Sequence, residues 1–526
     1  MKNKLLTFLL VCALAAVLLG PIFARPRNVQ VGGGRALIII TPNNEAVRFE
    51  LARAFTAAHK AKTGEQIYVD WRTPGGGSEI ARYLESEFVS AFESYWTKTL
   101  GNRWSAQVEA SFMNSKVEPK GDDWPQRARR AYLESNVSSG IDLLFGGGTF
   151  DHKKQAAAGN TVDSGILQTE TFRAAQIPAT MGGETYWDAK GRWVGTCLSA
   201  FGISSNLDAL QRLGVEQTPR QWSDLANPKL VGQVALANPT QSSSLNAAFE
   251  MMVQQQMLAK LKAGAPEKEA IDQGWGEAMR MIKRIGGNAR YFTDAAGKVT
   301  IDIAAGEAAS GLTIDFYGRF QSGAVARPDG SSRMQYYDAA GGTSFSADAV
   351  SMLRGAPHPD LAREFIAWLL TPEAQRLWNS RPGTPGGPSR FALRRLPIMP
   401  AMYAPELRQF RSDPDVLPYE MGSQFQYHGA WTGPLFGPIA FIVRVMCIDA
   451  HDELKDAWRA LIEANFPPAA TALFADVSAV DYATTSGRIR ETLAGEKIAQ
   501  VQLAKELAGH FRAQYREVAR LARVGQ

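Results

Sequence analysis

Residues 35–71 read RALIIITPNNEAVRFELARAFTAAHKAKTGEQIYVDW, and their hydrophobic pattern sets the fold class. Arg35 to Ile40 is a short apolar run, as in a strand covered on both faces. From Asn44 to Thr63 the apolar positions Val47, Leu51, Phe55 and Ala58 recur at helical spacing, and Gly64 stands where a helix ends. Gln66 to Trp71 then reads as a second strand. A strand, a helix and a second strand form the unit of α/β folds with mostly parallel sheets.

Outward from this unit the theme repeats. Gly75-Gly76-Gly77-Ser78-Glu79 leads into a helical stretch, Ile80 to Phe88, and Ile141 to Phe145 is a strand stopped by Gly146-Gly147-Gly148. Trp193 to Asn206 (WVGTCLSAFGISSN) suits a strand that crosses from one lobe to another. Val231 to Ala237 is a strand followed by Thr240-Gln241-Ser242-Ser243-Ser244 and a helix to Leu261. Val299 to Ala305 and Gly311 to Tyr317 add a helix and a strand, and Pro359 to Leu370 and Thr371 to Trp378 two helices. Residues 89–140 are polar with scattered Trp96, Trp104 and Trp124, which predicts an inserted helical subregion. RPGTPGGP at 381–388 breaks the pattern ahead of a mostly helical extension, 381–526. Its last segment carries Leu503, Leu507, Phe511, Val518 and Leu521 at helical spacing, the inner face of a packed helix.

The chain has 526 residues, 45% hydrophobic and 21% charged, which excludes a mainly disordered chain. A net charge of +5 without clustering speaks against a nucleic-acid partner. Lys2 and Lys4 precede an apolar run from Leu5 to Phe23, the order of a secretory leader. Residues 1–24 read as a signal peptide, with an uncleaved anchor over 5–23 as the alternative. Both readings place the bulk of the chain outside the cytoplasm. Beyond Cys12 in the leader only Cys197 and Cys447 remain, and the sequence leaves their pairing open.

Catalytic motifs are missing: there is no Gly-x-Ser-x-Gly, His-Glu-x-x-His, Cys-x-x-Cys or Walker phosphate loop. Asp151 and His152 are the nearest thing to an acid-base pair, and they read as an ordinary helix start. What recurs is a cluster of glycine and hydroxyl residues after a strand and before a helix: Gly75 to Ser78, Gly146 to Thr149, and Thr240 to Ser244. Unpaired amide groups at a helix start point outward, glycine lets a ligand approach the backbone, and hydroxyls add donors. Such starts bind anions, and α/β folds hold ligands at the carboxyl ends of their strands.

The chain resembles the extracellular solute-binding proteins of ABC importers, in the branch labelled iron(III)-transport-like. The matching pieces are LIIITPNNEAVRFELARAF, IDLLFGGGTFDH, GTCLSAFGISSNLDAL, WSDLANPKLVGQVALANPTQSSS, GLTIDFYGRF and GGTSFSADAVSMLRGAPHPDLAREFIAWLLTPEAQRLW, in the family's order from Arg35 to Trp378. The resemblance implies two Rossmann-like α/β lobes joined by a hinge, the type II periplasmic binding fold. Lobe 1 would hold residues 35–198 and 342–380 and lobe 2 residues 203–335, with crossings at Ser199 to Gly202 and Gly341 to Ser346. It also implies a periplasmic monomer that delivers its ligand to an inner-membrane permease, with neither enzymatic activity nor a cofactor.

Iron is where the sequence leaves that label. Ferric-binding relatives use paired tyrosines after a Gly-Glu segment, whereas here Gly306-Glu307 leads to Phe316-Tyr317. The position of the family's early histidine reads Asn43 or Asn44, and that of its acid Gly146-Gly147-Gly148. One phenolate is a poor site for a hard cation. The ligand expected is therefore a small anionic solute, an organic phosphate or carboxylate, with a metal chelate as a variant of it. Candidate contacts are Asn43, Asn44, Ser78, Gly148, Thr149, Thr240, Ser242, Ser243, Asp315 and Tyr317, with no metal ligands among them. Asp315 suits an anion only if a cationic part of the ligand or an arginine such as Arg72 neutralises it. The alternatives are a ferric-iron carrier, in which Tyr336, Tyr337 and His152 would serve, and an extracytoplasmic sensor or enzyme on the same scaffold.

Overall fold

The computed structural model describes residues 34–525, so the leader expected at 1–24 lies outside the described residues. Strand β1 (Ala36–Ile40) leads through helix α1 (Glu45–Thr63) to β2 (Tyr68–Arg72) and α2 (Gly77–Ser94). After the insertion come β3 (Leu143–Gly148), α3 (Thr149–Ala158), the short β4 (Thr161–Val162), the hairpin β5 (Thr180–Met181) and β6 (Glu184–Thr185), and β7 (Val194–Ser199). A second sheet then starts with β8 (Phe201–Asn206) and β9 (Val234–Ala237). Helices α4 (Ser243–Lys262) and α5 (Glu267–Asn288) precede β10 (Ala289–Thr293), α6 (Ala296–Ala305), β11 (Ser310–Ile314), α7 (Asp315–Ala324) and β12 (Met334–Asp338). The chain returns to the first sheet with β13 (Ser346–Leu353) and, further on, β14 (Leu396–Pro397).

The first sheet has the order β14-β7-β13-β3-β1-β2, with β4 beside β13, and the second β10-β9-β11-β8-β12. The sheets are mixed rather than mostly parallel. Strands β3, β1 and β2 run parallel, as do β10, β9 and β11. The strands that carry the chain between lobes, β7, β8, β12 and β13, pair antiparallel to their neighbours. A segment that leaves one sheet to enter another arrives from the opposite end, so it joins reversed. The run Trp193 to Asn206 is accordingly two strands, one per sheet, divided at Ala200.

Residues 89–140 pack against α2, Ile40, Leu144 and Leu353 in a separate core cluster, in which Phe92 stacks on Phe112 at 4.6 Å and both meet the Tyr132 ring edge-on. Residues 381–417 depart from the expected helical extension. Dense in proline and glycine, they run as irregular and short 3-10 chain, and β14 hydrogen-bonds to β7. Leu393, Leu396, Ile398 and Met402 are buried in the lobe 1 core, whereas Phe425, Trp431, Leu435 and most of the apolar side chains buried after them belong to the lobe 2 core. The extension therefore crosses between the lobes a third time, near Gly422. Beyond it, α8 (Phe436–Val443), α9 (His451–Glu463) and α10 (Lys497–Arg523) close over α4 and α5. The apolar run Gly429–Ile448 is long enough to span a membrane, but 72% of it is buried inside the protein. Leu503, Leu507, Phe511 and Val518 face inward from α10. Cys197 and Cys447 are buried free thiols in different cores.

Glu50 on α1 pins the start of the extension. Its buried carboxylate accepts from the backbone N–H groups of Ser389 (2.8 Å), Arg390 (2.6 Å) and Phe391 (2.9 Å) and from the Ser389 hydroxyl (3.0 Å). Burial alone would raise its pKa, but these donors outweigh burial and hold it below the usual value. A lowered carboxylate pKa stabilises the fold above the unfolded value of about 4.3 and stops doing so as pH falls through the folded value. Glu50→Gln puts an amide N–H against these donors, so urea unfolding at pH 7 should show a loss of about 1–3 kcal/mol. That gap to the wild type should narrow below about pH 4.

Candidate functional site

The carboxyl ends of the six parallel strands open onto one cavity of about 720 Å³ between the lobes. Five helices begin on its wall: α2 at Gly76, α3 at Gly148, α4 at Ser242, α6 at Ala295 and α7 at Ile314. Each start leaves backbone N–H groups without an intrahelical acceptor and carries about half a positive charge. At the start of α2 two successive glycines are closely approached. A Cβ at Gly77 would lie 2.5 Å from the Ser243 hydroxyl and 2.6 Å from Asp151, and one at Gly76 3.2 Å from the Gln241 carbonyl. The lobes meet at this point, where the Ser243 hydroxyl donates to Asp151 at 2.8 Å. Nearby the Phe150 ring of lobe 1 stacks on Phe436 of the extension at 4.0 Å.

Of the residues expected from sequence, Asn43, Gly148, Thr149, Ser242, Ser243 and Tyr317 share this cavity wall. The other four stand apart from it. Asn44 is exposed and caps α1, accepting from the Val47 N–H at 3.1 Å. Ser78 lies one residue inside α2, past the start that faces the cavity. Thr240 closes the turn after β9 by donating to Asn238 at 2.8 Å. Asp315 is fully buried and pairs with Arg319, one helical turn along α7, while Arg72 pairs instead with Asp70 at 2.7 Å. At four residues' separation on one helix, Arg319 reaches Asp315 without crossing the molecule.

The tyrosine doublet and the histidine considered for iron are also elsewhere. Tyr336 and Tyr337 lie on β12, where their hydroxyls donate to Asp338 (2.6 Å) and Gln335 (2.8 Å). His152 is fully buried behind α3, with Nδ1 2.7 Å from the Ser351 hydroxyl and Nε2 3.2 Å from the Gly146 carbonyl, and burial pulls its pKa down to about 4. A neutral ring with Nε2 protonated satisfies both contacts. Among the described residues no three His, Cys, Asp or Glu side chains are grouped to hold a metal.

Sequence reading missed several groups on the wall. Arg395, nearly buried, pairs with Asp348, donates to Asn43 at 2.9 Å and lies 3.6 Å over the Phe316 ring. Tyr427, Gly429, Gly433 and Phe436 come from the extension, and Glu184 and Glu250 from β6 and the second turn of α4. No motif marks these positions. The one available signal was the Pro/Gly break at 381–388, which a chain needs in order to fold back across the cleft.

Residues 137–394 match the family model described as bacterial extracellular solute-binding protein. An uncharacterised protein of Haemophilus influenzae is 28% identical over 240 residues, which is 45% of this chain and 60% of that protein. The phosphoglycerate transport regulatory protein PgtC of Salmonella typhimurium is 24% identical over 184 residues, 35% of this chain and 40% of that protein. The chain thus spans about half the length of these curated relatives. Similar solved structures include AfuA of Actinobacillus pleuropneumoniae with fructose-6-phosphate bound, with a TM-score of 0.48 at 15% identity over 77% of this chain and 97% of that one. Iron-bound HitA of Pseudomonas aeruginosa gives 0.46 at 14% identity over 78% and 99%.

Burial sets the charge of the acidic part of the wall. It raises Asp151 and Glu184 above the usual carboxylate range, against a hydrogen bond from Ser243 in one and from Ser344 in the other. It pushes Glu250 up to about 7, although Thr432 (2.6 Å) and Tyr427 (2.9 Å) donate to its Oε1. A raised carboxylate pKa leaves stability complete below the unfolded value of about 4.3 and removes it as pH rises through the folded value. The ligand-free wild type should therefore lose thermal stability relative to Glu250→Gln between about pH 4.3 and about pH 7, read by calorimetry of both proteins across that range.

Proposed function

With a bacterial extracellular solute-binding domain at residues 137–394 as the premise, we propose that this chain is the solute-capturing component of an ABC importer. In this reading it works in the periplasm, encloses a small organic phosphate or carboxylate between its lobes and hands it to a membrane permease. The observation that carries the reading is the meeting of five helix starts, from both lobes, on one cavity. An anion placed there accepts hydrogen bonds from N–H groups that no residue of the closed chain satisfies fully. The Ser242 and Ser243 hydroxyls and the half-buried Tyr317 stand beside those starts.

Size argues for an organic anion over a bare ion. At about 720 Å³ the cavity falls within the ~300–1,000 Å³ range of pockets that bury whole small molecules. PgtC is named for phosphoglycerate transport, a further pointer to a phosphorylated solute for this chain. The mechanism needs no covalent step. A ligand that touches α2 and α3 on one lobe and α4, α6 and α7 on the other binds the closed arrangement more tightly, and so shifts the population toward it.

Native mass spectrometry of gently purified protein, with metal analysis of the same sample, should show a bound organic anion without stoichiometric iron. Stoichiometric iron in its place would overturn the reading. Replacing Ser242 and Ser243 together by alanine should weaken binding of that anion by about tenfold, measured calorimetrically. Unchanged affinity in a folded double variant would remove the α4 start from the site.

A further inference from the structure

The cavity has a second polar region, chemically opposite to the helix starts. Glu184 is 6% and Glu250 4% exposed, and both line the cavity. All described side-chain hydrogen bonds to them go to one oxygen each: Ser344 to Glu184 Oε1 (2.7 Å), and Tyr427 and Thr432 to Glu250 Oε1. The Oε2 atoms have no hydrogen-bond partner among the described residues, yet neither is sealed from the cavity. The two acid groups lie within charge-charge reach of each other, and Lys153, which also lines the cavity, lies within such reach of both. The helix starts offer donors only, whereas these acid groups offer acceptor oxygens and, when ionised, repel an anion, so this wall suits a different part of the solute.

Helix α4 separates the two regions. Glu250 lies seven residues beyond Ser243 on the same helix, two turns or about 10 Å along its axis. A solute several bonds long can therefore place an acceptor group at Ser243 and reach Glu250 with its other end. The donors that orient Glu250, Tyr427 and Thr432, belong to the extension, beyond the end of the matched segment at residue 394.

We infer that Glu184 and Glu250, oriented by Ser344 and Tyr427, form a second subsite that takes hydrogen-bond-donating groups, hydroxyl or ammonium, at the end of the solute away from its anionic group. The inference rests on the anion reading of the cavity. It makes the solute bifunctional and makes the extension a determinant of specificity. A buried acceptor left without a donor costs affinity, so a ligand lacking the donors is rejected as well as under-bound.

Calorimetric titration of the full chain with three probes of similar length tests this: sorbitol 6-phosphate, 6-aminohexyl phosphate and hexyl phosphate. One of the two donor-bearing probes should bind about tenfold or more tightly than hexyl phosphate, and which one does so tells hydroxyl from ammonium. Glu250→Gln and Glu184→Gln, each checked for native melting, should erase that advantage by weakening the donor-bearing probe relative to hexyl phosphate. Equal binding of all three probes, or an advantage that survives both substitutions, overturns the subsite while leaving the anion reading intact. Failure of every probe, and of their carboxylate counterparts, to bind overturns the anion reading and the subsite with it.

Discussion

The structure depends on the backbone amide groups at its helix starts. Every α-helix leaves its first N–H groups without partners, and a fold that aims five such ends at one enclosed space accumulates a demand for acceptors there. The chain meets part of that demand itself, through the Ser242 side chain that caps α4 and the Glu79 side chain that accepts from the Gly76 N–H at 3.0 Å. Asp151 adds an acceptor in the first turn of α3, where its bond from Ser243 also ties the lobes together. In the reading proposed above, an anion would compete with these internal acceptors by facing several helix starts at once where each of them faces one.

That arrangement draws on helix starts from both lobes, and three chain segments cross between them. Two are the connections after β7 and after β12. Across one of these the Trp222 indole N–H of lobe 2 donates to the Gly342 carbonyl at 2.8 Å, so a core side chain of one lobe anchors the return to the other. The third is the extension, fastened to lobe 1 by Glu50 and to lobe 2 through buried Lys283, whose ammonium donates to the carbonyls of Phe474 (2.9 Å) and Asp476 (2.7 Å) and to Gln514 (3.1 Å). A burial this deep is tolerated because all three ammonium protons have acceptors. The extension is thus structural on both sides of the cleft, and the wall it builds from Tyr427 to Phe436 is as well supported as the sheets.

How much of this was legible in the sequence follows from what each feature depends on. The strands and helices of both lobes carry periodic apolar positions, so β1, α1, β2, β3 and β11 could be read directly. The helix starts at Gly148 and Ser242 were legible because glycine and small hydroxyl residues mark a chain that must turn and cap. Asp315 shows where the reading failed: the pattern from Gly311 to Tyr317 reads as strand, whereas α7 starts at Asp315 and places Arg319 one turn on to pair with it and turn it away from the cavity. The antiparallel strands escaped because direction in a sheet is set by where the chain comes from, which periodicity does not encode. Arg395 and Glu250 escaped for the same reason, being surrounded by apolar helical or loop sequence with nothing to mark them as facing a cleft.

The division of labour across the cavity follows from these two kinds of legibility. In the proposed reading, affinity for an anion would come from backbone groups, which any sequence with the right turns supplies. Discrimination among anions has to come from side chains, and here those lie on the least patterned parts of the chain: the β5–β6 hairpin, the second turn of α4 and the fold-back after residue 381. Gly182 and Gly183 join the first to the last, since a Cβ on Gly183 would lie 1.9 Å from the Tyr427 carbonyl. The hairpin that carries Glu184 and the segment that carries Tyr427 are therefore packed backbone to backbone. Any change in one that lengthens or bulks it moves the other, so the carboxylate wall can vary only as a unit.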